Sequence, residues 1–268
     1  MKQSKSSLIA SLAVLVYSTA AVSAGSSTKE VTIPPAPPAP PVVTGTLNLN
    51  YNTHFTSYGF DIWRAGQDFG DRGTFNPSIQ LNFDLGSGFR AILGTWWDVN
   101  SNADSNIGNA IQEVDVYGGF GYTTGPLTFT LLYQEWMYAS QSERIVDFKI
   151  AYANFLNPSV TFHGRVDSEL PFDNGLATVL GIAPRTSAGP VTLTFPFQVA
   201  AQTDNFHGGG SGFSFASGGI TASVPVSFMP GKWSLNAGLV FYYTNDKVIP
   251  VNVDESFLTG SIGLGLAF

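Results

Sequence analysis

Charged side chains recur at every second position in several segments of this sequence. Glu113 and Asp115 form one such pair, Asp147 and Lys149 another, and "HGRVDSE" continues the pattern over residues 163–169. Spacing by two places side chains on one face of a β-strand, whereas a helix needs spacing by three or four. We therefore predict one shared polar surface. Its members are Asp84, Arg90, Asp98, Glu113, Asp115, Asp147, Lys149, His163, Arg165, Asp167 and Glu169.

This polar set contains seven acids and three strong bases. If it lines the inside of a barrel, it indicates a pore-lining surface with an acidic bias, suited to small solutes or ions. The alternative is a network of ion pairs that fills and rigidifies a narrow barrel, which would then be structural or adhesive. Both interpretations stay open at this point, because a barrel of moderate width can be open or filled.

Catalysis is a minor alternative. The histidines are His54, His163 and His207, and the chain has no Gly-x-Ser-x-Gly elbow from which a nucleophile could be named. We predict no catalytic residue and no enzymatic activity.

Metal and cofactor chemistry has little support in the sequence. "DVNSNADSNIGN" (98–109) begins like a calcium loop, but Ala103 stands where that loop needs glycine and Asn109 where it needs glutamate. Cysteine is absent, which excludes disulfides and thiolate ligands. No phosphate-binding loop and no basic nucleic-acid patch is present. We predict no metal, no cofactor and no nucleic-acid partner.

The composition indicates what positions these groups. Hydrophobic residues make up 44% of the 268 residues and charged residues only 12%, against about 25% charged in soluble domains. After residue 24 no apolar run reaches the roughly 18 residues of a transmembrane helix. Scarce charge without a long apolar run is typical of apolar residues spread along alternating strands.

Alternation and turns predict twelve strands. Leu47, Leu49 and Tyr51 alternate with Asn48 and Asn50, for example, and five short turns alternate with six longer polar loops. This pattern is typical of an all-β, transmembrane antiparallel barrel, with a soluble β-sandwich as the alternative. The predicted strands are 46–57, 77–85, 89–98, 112–122, 126–138, 144–155, 159–169, 176–186, 190–202, 213–228, 233–244 and 256–268.

Two strand regions are predicted to be irregular. Phe213 and Phe215 are out of phase with Ile220, which predicts a bulge within the glycine stretch 217–219. Pro196 and Pro225 fall inside strands. Near the long loops, the aromatic residues that face outward are expected to form an interfacial girdle; the candidates are Trp96, Trp97, Trp136, Tyr138, Tyr242 and Tyr243.

The N-terminus predicts export. Residues 1–24 combine a basic start, an apolar stretch and the small residues Val22-Ser23-Ala24, which is typical of a secretory signal peptide. Residues 25–43 are rich in proline and predict an extended periplasmic linker. The barrel would then occupy 44–268, in the outer membrane of a Gram-negative bacterium.

The C-terminus ends in "SIGLGLAF", with Phe268 last. A closing strand must pair with the first one, so the chain can end inside the hydrogen-bond ladder. A terminal aromatic resembles the signal that the barrel-assembly machinery reads, and we assign Phe268 to that role. The predicted partners are this machinery, outer-membrane lipid and small solutes or ions; the oligomeric state stays open.

Residues 46–117 also resemble a known family. The order of "NLNYNTHFTSYGFDI", "NPSIQLNFDLGSGFRAILGTWWDVN" and "QEVDVYGGFGY" is similar to the TorF-like family of outer-membrane porins, formerly grouped as a conserved family of unknown function. The matching motifs are Ser87-Gly88-Phe89, Trp96 with Asn100, and Glu113, Asp115 and Tyr117. Tyr58-Gly59 stands where the family has Arg-Gly. The resemblance implies a porin-like barrel.

Overall fold

The computed structural model describes residues 43–268, and its regular elements are all β-strands. Within this range no helix is long and apolar enough to cross a membrane. The strands are β1 (Val43–Asn52), β2 (Thr56–Ser57), β3 (Phe60–Asp61), β4 (Thr74–Gly86), β5 (Phe89–Val99), β6 (Ile111–Thr124), β7 (Leu127–Tyr138), β8 (Gln141–Tyr152), β9 (Ser159–Ser168), β10 (Gly175–Ile182), β11 (Arg185–Ala188), β12 (Val191–Thr194), β13 (Phe197–Gln202), β14 (Gly212–Val226), β15 (Lys232–Thr244) and β16 (Ser256–Ala267).

The large sheet closes on itself. Strand β1 pairs antiparallel with both β4 and β16, and β14 pairs with β12, β13 and β15. Strands β10 and β11 together occupy one position around the barrel, as do β12 and β13, so the closed antiparallel barrel has 12 strands. Closure leaves no unpaired edge, which is what a strand needs in lipid. The predicted fold class is confirmed.

Strand register assigns each side chain to one wall of the barrel. Leu47 lies opposite Ile79 and Leu266, and this row faces outward, while Asn48 lies opposite Ser78 and belongs to the inward row. Exposed apolar side chains such as Leu93, Phe120, Leu131 and Ile262 populate the outer wall. The outer wall is therefore the lipid-facing surface, and polar side chains are turned to the lumen.

Apart from the end of β1, the strand ends lie within three residues of the predicted ones, and β8 is shifted as a whole. Strand β8 begins at Gln141 and ends at Tyr152, three residues earlier than predicted at each end. In place of the predicted long loop 139–143, only residues 139–140 form a tight turn, and Ala139 turns the chain with φ 69°. The predicted signal peptide and almost all of the predicted linker lie outside the described residues, and β1 begins at Val43.

The bulge in β14 lies earlier than predicted. Ala200 pairs with Phe215 and Ala201 with Phe213, so the extra residue is Ser214 rather than one of 217–219. Because of it, Phe213 faces outward and Phe215 faces the lumen. Of the two prolines, Pro196 does interrupt a strand, between β12 and β13, whereas Pro225 stays in register opposite Ser234 in the unbroken β14–β15 ladder.

The chain between β1 and β4 does not stay outside the barrel. Residues 53–66, here called the inward segment, fold into the lumen and contain the hairpin of β2 and β3. Tyr58 and Gly59 form its two-residue turn, with φ of 49° and 88°, the signs that a type I′ turn requires. A side chain at Gly59 would also clash with the Phe215 ring, 2.6 Å from the added Cβ. Residues 53–57, predicted as the end of the first strand, instead leave the wall.

Candidate functional site

The tip of the inward segment is held by side chains from two other parts of the barrel. Gln202 at the end of β13 donates a hydrogen bond from Nε2 to the Tyr58 carbonyl, at 2.8 Å. Asn252 donates from Nδ2 to the Gly59 carbonyl at 2.9 Å and accepts the Asp61 amide at 2.9 Å. These bonds fix the hairpin across the lumen at a defined depth.

The base of the inward segment is held by Asp98. This fully buried carboxylate accepts hydrogen bonds from Trp63 Nε1 and Asn100 Nδ2, both at 2.9 Å, and from Asn76 Nδ2 at 3.1 Å; the Thr74 hydroxyl also donates to it. With so many donors the charge of Asp98 is satisfied inside the protein. The pore-lining candidate Asp98 is therefore an anchor of the inward segment.

Tyr58 stacks against a polar chain on the barrel wall. Its ring lies 3.7 Å from the His163 ring, centroid to centroid. His163 Nδ1 contacts Asp147 Oδ1 at 2.5 Å, and Gln134 donates to Asp147 Oδ2 at 2.6 Å. Burial and then the charge of Asp147 raise the pKa of the Tyr58 phenol well above its ordinary value, so Tyr58 stays neutral. Two predicted lumen residues, Asp147 and His163, thus support the hairpin.

Arg165 organises the long-loop end of the lumen. It forms a buried ion pair with Glu143, and its Nη1 donates to the Phe206 carbonyl at 2.6 Å. Its guanidinium lies 4.3 Å from the centroid of the Phe206 ring, close enough for a cation–π contact. Tyr138 donates to the other oxygen of Glu143 at 3.0 Å. Sequence reasoning missed Glu143, because the predicted strand began at 144, although it keeps the spacing of Asp147 and Lys149.

An apolar cluster closes over the hairpin at the same end. Phe60 of β3 packs with Val248 and Ile249 of the loop after β15, and Ile62 and Phe172 border them. Burying these side chains removes apolar surface from water, which favours the docked arrangement of the loops. The mouth of the barrel is therefore narrowed by packed loops as well as by the hairpin.

Acidification is expected to loosen the loop 203–211 at this mouth. His207 is buried against Phe60 and Phe206, and burial, followed by the charge of Arg165 and by His163, lowers its pKa well below 6.5. His207 therefore resists protonation while the loop is docked, whereas in an undocked loop it takes up a proton below pH ~6.5. Protonation thus favours the undocked loop, and docking is progressively lost as pH falls. A nitroxide on Gly210→Cys should become more mobile between pH 7.5 and 5.5 in electron paramagnetic resonance spectra.

The matched control is His207→Phe, which keeps an aromatic ring and removes the titrating nitrogens. Its spin label should keep the same mobility over the whole pH range. Asp61 acts with the opposite sign, because burial raises its pKa and its protonation favours the docked hairpin. An equal response of both proteins to pH would assign the effect to a group other than His207.

Three adjacent cavities remain around the inward segment. The central cavity, about 320 Å³, is bordered by Tyr58, Glu113 and Asp115. The side cavity, about 390 Å³, lies between Phe55 and the asparagines of β1. The upper cavity, about 140 Å³, reaches Arg165 and the mouth cluster. Phe55 borders all three, so the cavities meet at the hairpin.

Among the predicted acidic residues, Glu113 and Asp115 border the cavities. Both are inward on β6; Glu113 borders the central and upper cavities, and Asp115 the central one. Their side chains are largely covered, at 5% and 7% exposure. Asp115 Oδ1 has no hydrogen-bond partner in the described part of the chain. The arrangement can attract a positive group to the centre of the barrel.

Three other predicted residues lie near the short-turn end of the lumen, away from this site. Asp84 and Arg90 face each other in the β4–β5 ladder. Lys149 lies on β8, on the same inward face as Asp147. Asp84 accepts the Gly86 amide at 2.8 Å, and Arg90 donates to the Thr123 hydroxyl at 3.3 Å. None of these three residues borders the cavities at the hairpin.

Two predicted lumen residues are not in the lumen. A bulge between β8 and β9 pairs Ile145 with Arg165 but Arg144 with Asp167, so Asp167 lies on the outer face. There it forms an ion pair with Arg144, which also reaches Glu135. Glu169 lies beyond the end of β9 and accepts the Ser142 amide at 2.8 Å. The extra residue reversed the alternation on which both predictions depended.

The aromatic residues near the long loops divide between the two walls. Trp97 and Tyr243 face outward and are exposed, as a girdle requires. Trp96, Trp136 and Tyr242 face inward and border the central cavity, and Tyr138 borders the upper one. The girdle candidates therefore include both outward-facing residues and residues that line the lumen. Only the strand register tells the two groups apart.

No protein-family model and no curated protein matches the sequence. Among solved structures, a NanC porin has 8% identity and a TM-score of 0.45, with 83% of this chain and 98% of the other covered. The translocator domain of the autotransporter NalP from Neisseria meningitidis has 12% identity and a TM-score of 0.42, covering 84% and 88%. OmpF of Salmonella typhi in complex with daunomycin has 8% identity and a TM-score of 0.40, covering 84% and 97%.

Proposed function

We propose that this protein is an outer-membrane channel for passive diffusion of small solutes or ions, narrowed by its inward segment. One observation carries the proposal: the closed barrel keeps adjacent cavities around the hairpin, and two carboxylates border them. A barrel meant only as a rigid support would gain from filling this space with packed side chains. The Gram-negative outer membrane is the location that we propose for it.

The lumen is expected to prefer cations or neutral solutes over anions. Glu113 borders the central and upper cavities and Asp115 borders the central one, whereas Arg165 is already paired with Glu143. Fixed charges act more strongly in a confined space with low-dielectric walls than in open water. An entering cation would therefore be attracted to the central cavity.

Neutralising this pair should weaken the selectivity. Even at the dielectric constant of water, one charge at about 4 Å contributes ~1 kcal/mol, so Glu113→Gln with Asp115→Asn should lower the cation-to-anion permeability ratio at least about fivefold. The measurement is the reversal potential of the purified barrel in a planar bilayer under a salt gradient.

The matched control is Glu135→Gln with Asp167→Asn. It removes one glutamate and one aspartate charge from the outer face, where both residues surround Arg144. The control should keep the reversal potential of the wild type. Anion selectivity of the wild type, or an equal change in both double variants, would contradict the acidic-lumen proposal.

The second candidate is a structural or adhesive barrel with a filled lumen. The observation that favours it is the apolar cluster of Phe60, Val248 and Ile249 over the hairpin. Correctly folded protein without conductance in the bilayer experiment would make this the better description. The expected absence of enzymatic activity, the signal peptide and the resemblance to the TorF-like family stay predictions.

Deleting Phe268 should reduce assembly in the cell several-fold. Its amide and carbonyl bond to Gly45 at 3.0 and 2.7 Å, and its ring covers that glycine at the seam between β1 and β16. If the assembly machinery reads this residue, the variant accumulates as unfolded chain in the cell but still folds in detergent. Heat-modifiable migration on gels measures the folded fraction in cells and after refolding in detergent.

Phe228→Ala is the control for this experiment, because Phe228 is an exposed aromatic residue in a short turn at the same end. It should assemble normally. A Phe268 deletion with normal yield in cells would refute the assembly role, and failure to fold in detergent as well would assign Phe268 to barrel stability alone.

A further inference from the structure

The central cavity has the chemistry of a binding site for one class of molecule. Its walls combine carboxylates with an unusual number of rings. The aromatic residues that border it are Phe55, Tyr58, Trp96, Trp136, Phe215 and Tyr242. They come from the inward segment and from strands β5, β7, β14 and β15, so they surround the space from several sides. Such a set is assembled only by the closed barrel with the hairpin inside it.

One carboxylate at the wall of this cavity has a buried oxygen without a partner. Asp115 borders the cavity with 7% of its surface exposed, and its Oδ1 has no hydrogen-bond donor within the described residues. Leaving a buried acceptor unsatisfied costs about 1–3 kcal/mol, and more for a charged group. A positive charge held in the cavity beside this carboxylate would offset the cost by electrostatic attraction. Asp115 is therefore the group toward which a ligand would point its charge.

The rings decide which kind of cation fits. A bare metal ion takes its ligands from oxygen or imidazole groups at short distances, and the described chain contains no cluster of three or more residues suited to this. Aromatic faces attract organic cations, whose hydration is weak, by the cation–π effect. Glu113 adds a second carboxylate on the side of the upper cavity.

We propose that the central cavity binds a small organic ammonium cation, with its charge at Asp115 and its alkyl groups against the rings. The volume of about 320 Å³ lies at the lower end of small-molecule sites, which span roughly 300–1,000 Å³. The proposal names the solute class of the lumen and in that sense rests on the proposed function. Equilibrium binding can nevertheless be measured without any conduction.

The test compares choline with its uncharged isostere 3,3-dimethyl-1-butanol. Calorimetric titration of the folded wild-type barrel in detergent should show saturable binding of choline and at least tenfold weaker binding of the isostere. Sodium chloride at the same concentration should not compete beyond its effect on ionic strength. Equal binding of choline and the isostere would mean a merely apolar cavity and would overturn the proposal.

Two variants locate the site. Asp115→Asn keeps the shape of the side chain and removes its charge. Trp136→Leu keeps an apolar side chain and removes the ring. Each substitution should lower the affinity for choline at least about tenfold. Asp167→Asn, on the outer face, should leave the affinity unchanged. Heat-modifiable migration confirms folding of every variant, and the isostere comparison on the wild type decides the question if a variant fails to fold.

Bilayer recordings separate this inference from the proposed function. In a conducting barrel, choline at saturating concentration should reduce the sodium current, and the isostere should not. Conductance without choline binding overturns the inference and leaves the channel intact. Choline binding without conductance overturns the channel and leaves the site intact.

Discussion

Replacing residues 53–73 with a short turn should raise the single-channel conductance several-fold. Asn52 and Thr74 are directly opposite each other in the β1–β4 ladder, so a two-residue turn can join these strands. The replacement removes Phe55 and Thr56, which border both the central and the side cavity, so the two cavities should merge. A wider water-filled path has a lower electrical resistance. Planar-bilayer recordings measure the change directly.

Shortening the loop between β5 and β6 is the control, because residues 101–107 lie largely at the surface. That variant should conduct like the wild type. Unchanged conductance after removal of the inward segment would mean that it does not limit the current. Absence of conductance in both proteins would place the block in the loops 203–211 and 245–255 and support the filled-lumen alternative.

The barrel was predictable from the sequence because its signals are local. A strand with one face in lipid and the other in the lumen must alternate apolar and polar residues with period two. The short turns carry glycine or proline. Leu47, Asn48 and Leu49 show this within three residues. The pairing of the last strand with the first then follows from the need to leave no edge.

The contents of the lumen were less predictable, because they depend on single residues. One extra residue in β9 turns Asp167 to the outer face, where it pairs with Arg144, and no sequence signal marks that bulge. The hairpin strands β2 and β3 are two residues long, too short for any periodicity. Tyr58-Gly59 did offer a signal, since glycine after a tolerant residue can form a type I′ turn. What draws that turn into the barrel is contact with Gln202 and Asn252, far away in sequence.

Substituting Arg165 should release the mouth of the barrel. Arg165→Met keeps most of the side-chain volume but leaves Glu143 buried without its cation, a change that typically costs about 3–5 kcal/mol. It also removes the bonds to the carbonyls of Asp173 and Phe206, at 3.3 and 2.6 Å. Loops 169–174 and 203–211 should therefore undock while the strands stay paired. Chymotrypsin should then cleave after Phe206, which is fully buried in the wild type.

Cleavage after Phe155, an exposed residue in a short turn, serves as the internal reference because it should proceed equally in all variants. The decisive comparison is the double variant Arg165→Met with Glu143→Gln. A neutral amide can donate as well as accept, and it carries no uncompensated charge, so the double variant should be cleaved after Phe206 more slowly than Arg165→Met alone. If the two variants were cleaved equally fast, the docking of these loops would depend on the carbonyl bonds and the Phe206 ring contact of Arg165, and the buried ion pair would contribute little to it.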